Sequence, residues 1–268
     1  ERHTDFADYK ANRQETPEDI SLAVPDIKKI IEGFNIPIIA VDGYEADDII
    51  GTLAKRAEEE GFITYMMTPD KDFGQLVSEN IFIYKPGRGG DPASIMGVKE
   101  VCEKFEVDNP LKVIDILGLW GDAVDNIPGI PGIGEKTAKK LIQDYGSMEE
   151  LFRNTDQLKG KMKENVINFE GQGRLSKMLA TIIIDVPVPF DPLDLKLDDP
   201  DPDKIKEIFT ELEFRNLAKR IIGEDIVVTA SANENGQLDL FGTQSLVEVQ
   251  QATVTSGYKT IATEKPSY

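Results

Sequence analysis

Three apolar runs constrain what this chain can fold into. IPIIAVDG (36–43), FITYMMT (62–68) and IFIYK (81–85) each read as a strand buried on both faces. Between the first two lies YEADDIIGTLAKRAEEEG, an amphipathic helix ending at Gly61. Between the second and third, PDKDFGQLVSEN reads as a short turn and helix. Ahead of them, SLAVPDIKKIIEGF (21–34) spaces Ile27, Ile30, Ile31 and Phe34 as a helix, with Gly33 near its end. Such alternation predicts a parallel α/β sheet.

The second half carries a different pattern. Residues 86–98 are a Gly/Pro-rich loop, and from Val98 the sequence turns helical. Helices are expected over VKEVCEKF, PLKVIDILGLWGD, 135–145, SMEELFRN (147–154), GRLSKMLATII (173–183) and 201–222, with a lysine-bearing loop, LKGKMKENV, at 158–166. We expect an α/β core over 1–110, a mainly helical region over 111–222, and a weakly patterned linker over 223–268 leading to a further domain.

Charge and cysteine usage narrow the chemistry. Asp and Glu number 49 against 30 Lys and Arg, giving a net charge of −19. That field disfavours a polyanion except at local basic patches, and it suits a chain that gathers carboxylates around divalent metal. One Cys, Cys102, and one His, His3, exclude an internal disulfide and a Cys/His zinc site, and they argue against a Ser-His-Asp triad. Any metal must be a hard cation on oxygen ligands. No apolar run reaches the length of about 18 residues that spans a bilayer. No signal peptide is visible, and a reducing cytoplasmic setting without a membrane partner is expected.

The acids fall in three clusters. Glu45, Asp47 and Asp48 follow the first run; Asp70 and Asp72 follow the second; Asp122 and Asp125 end a helix further on. Strand C-termini of a parallel sheet share one edge, where ligands bind. Singly, Asp47 and Asp48 serve a helix N-terminus and Asp70 and Asp72 cap the next helix. Together they repel one another, and Mg²⁺ or Mn²⁺ would neutralise them. Two such ions could activate a water and stabilise a departing 3′ oxygen.

LWGDAVDNIPGIPGIGEKTAKKLI (119–142) joins this cation side to an anion side. Gly129, Gly132 and Gly134 leave the backbone open, and the helix that follows offers its N-terminal amides to a phosphate. Lys136, Lys139 and Lys140 share one helix face, opposite Ala138, Leu141 and Ile142. Such contacts carry no base code, so binding is expected to be sequence-independent and salt-sensitive. Near the N-terminus, Tyr9 and Arg13 are four apart and could share a helix face, with Lys10 beside them; they form a candidate phosphate-gripping segment.

YKANR, YEADDIIGTLA, TPDKDFGQL and GDAVDNIPGIPGIGEKTA resemble, over about residues 1–222, the 5′→3′ exonuclease (flap endonuclease-like) domain of bacterial DNA polymerase I. The resemblance implies a PIN-like nuclease core followed by a helix–three-turn–helix (helix–hairpin–helix) DNA-binding region. It implies two-metal cleavage of 5′ flaps and 5′ ends. It places the metal-binding acids on Glu45, Asp47, Asp48, Asp70, Asp72, Asp122 and Asp125. It places the arch pair that handles the scissile phosphate on Tyr9 and Lys10, with Arg13 a turn later. It places a phosphate and monovalent-cation (K⁺) site on the 129–140 turn, with Thr137 among the DNA-binding residues. The family begins with a strand bearing an essential Asp, and a second Asp precedes the arch; neither is in this sequence, and the alternative expectation is a DNA-binding and tethering module without catalysis. In the tail, Gln237, Leu238, Leu240 and Phe241 are similar to the peptide by which bacterial proteins dock on the sliding clamp.

Overall fold

An apolar run becomes a strand only where a neighbour completes its hydrogen bonds, and two of the three runs find one. The structure, a computed structural model, describes residue 2, residues 6–223 and residues 225–226. Strand β1 (Thr64–Met67) lies parallel to β2 (Ile81–Lys85), with Thr64 opposite Ile81 and Met67 opposite Tyr84. A short strand, β3 (Ser94–Met96), forms inside the expected loop and runs antiparallel to β2. The sheet is therefore small and mixed, in the order β1-β2-β3, rather than wholly parallel. The expected strand at 36–41 is absent: no ladder reaches it, and Ile36, Ile38 and Ile39 stay 45%, 42% and 37% exposed. Hydrophobicity alone does not make a strand without a paired edge.

Helix α1 (Glu18–Gly33) precedes that run, and α2 (Ala46–Glu59) follows it. Helix α2 buries Ile49 and Ala54 as it packs on β1 and β2, whose inward side chains Met66, Ile81 and Ile83 are buried. Gly51 permits the approach, since a Cβ there would stand 2.8 Å from a methyl of Ile182.

The remaining helices are α3 (Val98–Phe105), α4 (Lys112–Trp120), α5 (Glu135–Tyr145), α6 (Met148–Arg153), α7 (Gly160–Asn168), α8 (Glu170–Ala180), α9 (Pro202–Glu211) and α10 (Arg215–Ile221). Helix α4 is the centre of this half. Its Val113, Ile116, Leu117 and Leu119 are buried, each worth roughly 1.5–3 kcal/mol, and α5 and α8 flank it. Gly118 sits against Lys177 of α8, where a Cβ would meet that side chain at 2.8 Å. One apolar cluster runs from Met66 and Ile83 through Ile116 to Leu141 and Val166, and residues Glu1–Ile226 form one compact unit.

The lysine-bearing loop expected at 158–166 is helix α7. Its apolar residues are few, yet Met162 and Val166 are four apart, and Val166 is buried against the core. Packing of that one edge overrides a weak local preference. The expected helix over 173–183 starts earlier, at Glu170. Among the described residues, no helix is long and apolar enough to cross a membrane.

Candidate active site

Each acidic cluster owes its place to a backbone element. Glu45 is the N-cap residue of α2, and Asp47 and Asp48 lie in its first turn, where negative charge meets the positive end of the helix. Asp70 follows β1 and accepts the Asp72 N–H at 2.9 Å, which turns the chain into a short 3-10 helix, Asp72–Leu76. Asp122 and Asp125 stand on the turn after α4. Asp122 N–H donates to Ile127 O at 2.9 Å and Ile127 N–H returns to Asp122 O at 2.7 Å, while the Asp122 carboxylate accepts the Val124 N–H at 2.7 Å.

Basic side chains meet several of these acids. Arg2 grips Asp48 with two bonds of 2.7 Å, and donates also to Leu179 O at 3.1 Å and Thr181 O at 2.8 Å. Lys10 Nζ lies 2.5 Å from Glu45 and 4.0 Å from Asp125; Arg13 lies 2.6 Å from Asp125. Lys71 donates to Asp122, stands 3.3 Å from Asp72 Oδ1 and lies over the Trp120 ring. Among the described residues, no three Asp, Glu, His or Cys side chains gather around one point. Glu45, Asp48, Asp122 and Asp125 each face a cation instead.

The acids nevertheless differ in electrostatic state. Burial pushes the Asp72 carboxyl up to about 6; Lys71 opposes this, and the charges of Asp70 and Asp122 add to it. Its Oδ1 is buried, with Lys71 Nζ 3.3 Å away. Burial raises Asp47 as well, helped by Asp70 and Glu45. Those are the marks of carboxylates that a cation would relieve. Asp48 is the opposite case. Burial pushes it up, but Arg2, the Ile183 N–H at 2.9 Å and the Glu45 N–H at 3.3 Å outweigh that and hold it below its ordinary value. Its oxygens are already fully used. Asp47, Asp70 and Asp72 supply oxygen donors of the kind a hard divalent cation takes, but as placed they do not converge on one point.

Tyr9, Lys10 and Arg13 do not share a helix face, because residues 7–13 run as turns and Lys10 adopts φ 58°. They converge all the same. Tyr9 is buried, donates its hydroxyl to Glu45 at 3.2 Å and lies 4.8 Å beneath Lys10 Nζ. Burial first, and then the Glu45 charge, pushes its phenol well up.

The glycine turn divides into an inner and an outer part. Gly129 is buried, its N–H donating to Ser176 Oγ at 2.9 Å and its carbonyl accepting from Gln172 at 2.7 Å. Asn165 of α7 donates to Pro131 O at 2.7 Å. Lys139 also turns inward: its Nζ bonds Lys104 O and Glu135, both at 2.8 Å. Gly132, Gly134, Lys136 and Lys140 are exposed and Thr137 is half-buried, so these five form the outer face. Sequence reasoning singled out none of Arg2, Lys71, Asn126, Gln172 or Ser176. Lys71 sat between two acids in PDKD; Arg2 and Ser176 gave no local signal, because their partners are 46 and 47 residues away. The Gln237–Phe241 peptide lies outside the described residues.

A small sheet flanked by helices, an acidic rim beside β1 and a glycine turn opening α5 define a PIN-like, resolvase-like nuclease fold joined to a helical SAM-fold module. Residues 1–106 match the family model for the 5′-3′ exonuclease N-terminal resolvase-like domain, and residues 108–203 match that for the 5′-3′ exonuclease C-terminal SAM fold. The chain belongs to the 5′-3′ exonuclease family. It is 36% identical over 220 residues to the 5′-3′ exonuclease of Aquifex aeolicus, covering 81% of this chain and 72% of that one. It is 36% identical over 256 residues to DNA polymerase I of Bacillus subtilis, covering 95% of this chain but 28% of that one. The chain thus spans about a quarter of the length of the DNA polymerases I it matches. Two solved structures share its fold: zinc-bound T5 5′-exonuclease, TM-score 0.56 at 22% identity over 67% of this chain and 69% of that one, and the catalytic core of Rad2 with DNA substrate, TM-score 0.58 at 15% identity over 84% and 76%.

Proposed function

We propose that this chain is the 5′→3′ nuclease part of a bacterial DNA polymerase I, hydrolysing phosphodiesters at 5′ flaps, nicks and 5′ ends in replication and repair. Its setting would then be the bacterial cytoplasm, with polymerase activity in the parent protein. The observation that supports the reading is the buried, raised carboxyl of Asp72 near Asp70 and Asp122, with Asp47 raised beside Asp70 and Glu45, and Tyr9, Lys10 and Arg13 on Glu45 and Asp125 of the same acidic set. Asp47, Asp70 and Asp72 would hold divalent metal, Mg²⁺ or Mn²⁺. Glu45, Asp122 and Asp125 would join them as Lys10, Lys71 and Arg13 turn to the scissile phosphate. When bound, the ions supply water activation and charge stabilisation on the leaving 3′ oxygen. Asp48 holds the scaffold through Arg2. Gly132, Gly134, Lys136, Thr137 and Lys140 grip the duplex backbone without reading bases, and the same turn offers carbonyls to a K⁺ ion. Gln237–Phe241 would tether the chain to a sliding clamp.

The alternative, a DNA-binding and tethering module without catalysis, is favoured by the neutralisation of Glu45, Asp48, Asp122 and Asp125 by Lys10, Arg2, Lys71 and Arg13. Cleavage of a 5′-flap duplex in Mg²⁺ or Mn²⁺ separates the two. The nuclease reading expects metal-dependent cleavage that falls by about 100-fold in Asp72→Ala. Cleavage that persists in EDTA contradicts the metal reading. Wild-type DNA binding without cleavage selects the tether.

A further inference from the structure

The segment Asp8–Arg13 is fastened to the acidic turn by one side chain whose amide is used at both ends. Asn126 Nδ2 donates to Asp8 O at 2.6 Å, and its Oδ1 accepts from Asn12 Nδ2 at 2.9 Å. Asn126 adopts φ 56°, a left-handed conformation that Asn tolerates better than most residues. The next residue back continues the seam: Lys10 N–H donates to Asp125 O at 2.9 Å, with Lys10 itself at φ 58°. Arg13 closes the far end on the Asp125 carboxylate. Facing left-handed residues thus zip two loops whose members are 112 to 118 residues apart in sequence. Both side-chain hydrogen bonds of Asn126 go to the segment that carries Tyr9 and Lys10.

We propose that Asn126 is a positioning residue that locks the Tyr9–Lys10–Arg13 segment to the Asp122–Ile127 turn, so that the phosphate-handling side chains keep a fixed register against the acids. Lys10 Nζ lies 2.5 Å from Glu45 and 4.0 Å from Asp125 in that register. A displacement of about 1 Å at such a site costs up to about 100-fold in rate. The kinetic consequence rests on the nuclease reading above; the locking itself does not.

The test uses the full chain in three forms. Asn126→Gly keeps the left-handed turn accessible and removes both side-chain bonds. Asn126→Asp keeps the turn and an acceptor for Asn12 but loses the donation to Asp8 O. Limited trypsin digestion without metal reports the lock, as cleavage after Lys10 relative to cleavage after the exposed Lys99. Asn126→Gly should raise that ratio by about tenfold or more, with Asn126→Asp between it and wild type. On a 5′-flap duplex, Asn126→Gly should lower kcat about tenfold and leave KM within about twofold, because the duplex grip lies elsewhere; Asn126→Asp should recover part of kcat. An unchanged tryptic ratio overturns the proposal whatever the activity. A raised ratio with unchanged kcat, or a loss of kcat that follows thermal stability across both variants, overturns the positioning role. A wild-type chain that cleaves no flap defeats the nuclease reading, and the tryptic ratio then decides the lock alone.

Discussion

The two halves of the stretch 119–142 are built by different physics. The glycine turn is held by backbone bonds and close packing. A Cβ on Gly129 would stand 2.6 Å from the Trp120 backbone, and Ile130 and Ile133 are buried beneath. Those contacts are insensitive to salt and pH. The acidic turn before it is closed by the Asp122–Ile127 backbone pair, but its carboxylates and Glu45 are held by exchangeable charge: Lys71 on Asp122, Arg13 on Asp125, Lys10 on Glu45. On the nuclease reading, the first half would be a preformed surface for a phosphate chain. The second is a charge network whose cations can be traded, and trading requires a weaker hold than packing gives.

Substitutions should separate the halves by size and sign. Gly129→Ala forces a left-handed alanine (φ 61°) into the Trp120 backbone. It should cost about 3–4 kcal/mol, visible as a drop of roughly 6 °C or more in Tm at any pH between 5 and 8. Asp48→Ala strands a buried guanidinium and should cost about 3 kcal/mol in urea unfolding. Asp48 lies below its ordinary value of 3.8 when folded, so its contribution is full above that value and fades as pH falls through the folded value. Asp48→Asn should therefore flatten the acid limb of the stability curve below about pH 4.

Asp72 predicts the reverse sign. Its carboxyl is raised from 3.8 to about 6 in the fold, so the metal-free chain loses stability as pH rises from near 4 to near 6. Asp72→Asn should stabilise the metal-free chain by about 2 kcal/mol at pH 7 and by nothing near pH 3; equal stability at both would break the contrast with Asp48. The smallest effect concerns the glycine half. Lys136→Ala with Lys140→Ala should weaken duplex binding several-fold and lower the salt slope by about 2, whereas Lys139→Ala should leave the slope within about 0.5. An equal slope change from Lys139 would show that the inward turn of that side chain does not survive DNA.

What the sequence made legible follows the same division. The glycine turn, α4 and α5 could be read directly, since spacing of Gly, Lys and apolar residues is a local signal. The run at 36–41 was misleading, because a strand is decided by its neighbour; among the described residues β1 pairs only with β2, and Ile38 stays exposed. Helix α7 was hidden by lysines and Gly160, although Met162 and Val166 carried its spacing. Composition and motif singled out the acids, but not the basic side chains that meet them. Arg2 to Asp48 and Lys71 to Asp122 are long-range pairings that no window of sequence contains. Lys139 turned inward for the same reason, drawn by Glu106 and Lys104 of a separate helix end.

On the nuclease reading, Asp72 is where a divalent cation would take the place of protein charge. Thermal unfolding at pH 7 with and without Mn²⁺, for wild type and Asp72→Asn in the absence of DNA, tests it most directly. Wild type should start less stable and gain about 2.7 kcal/mol at a Mn²⁺ concentration of about 100 times Kd, while Asp72→Asn should start more stable and gain little. Equal gains in both, or no gain in either, would contradict the account.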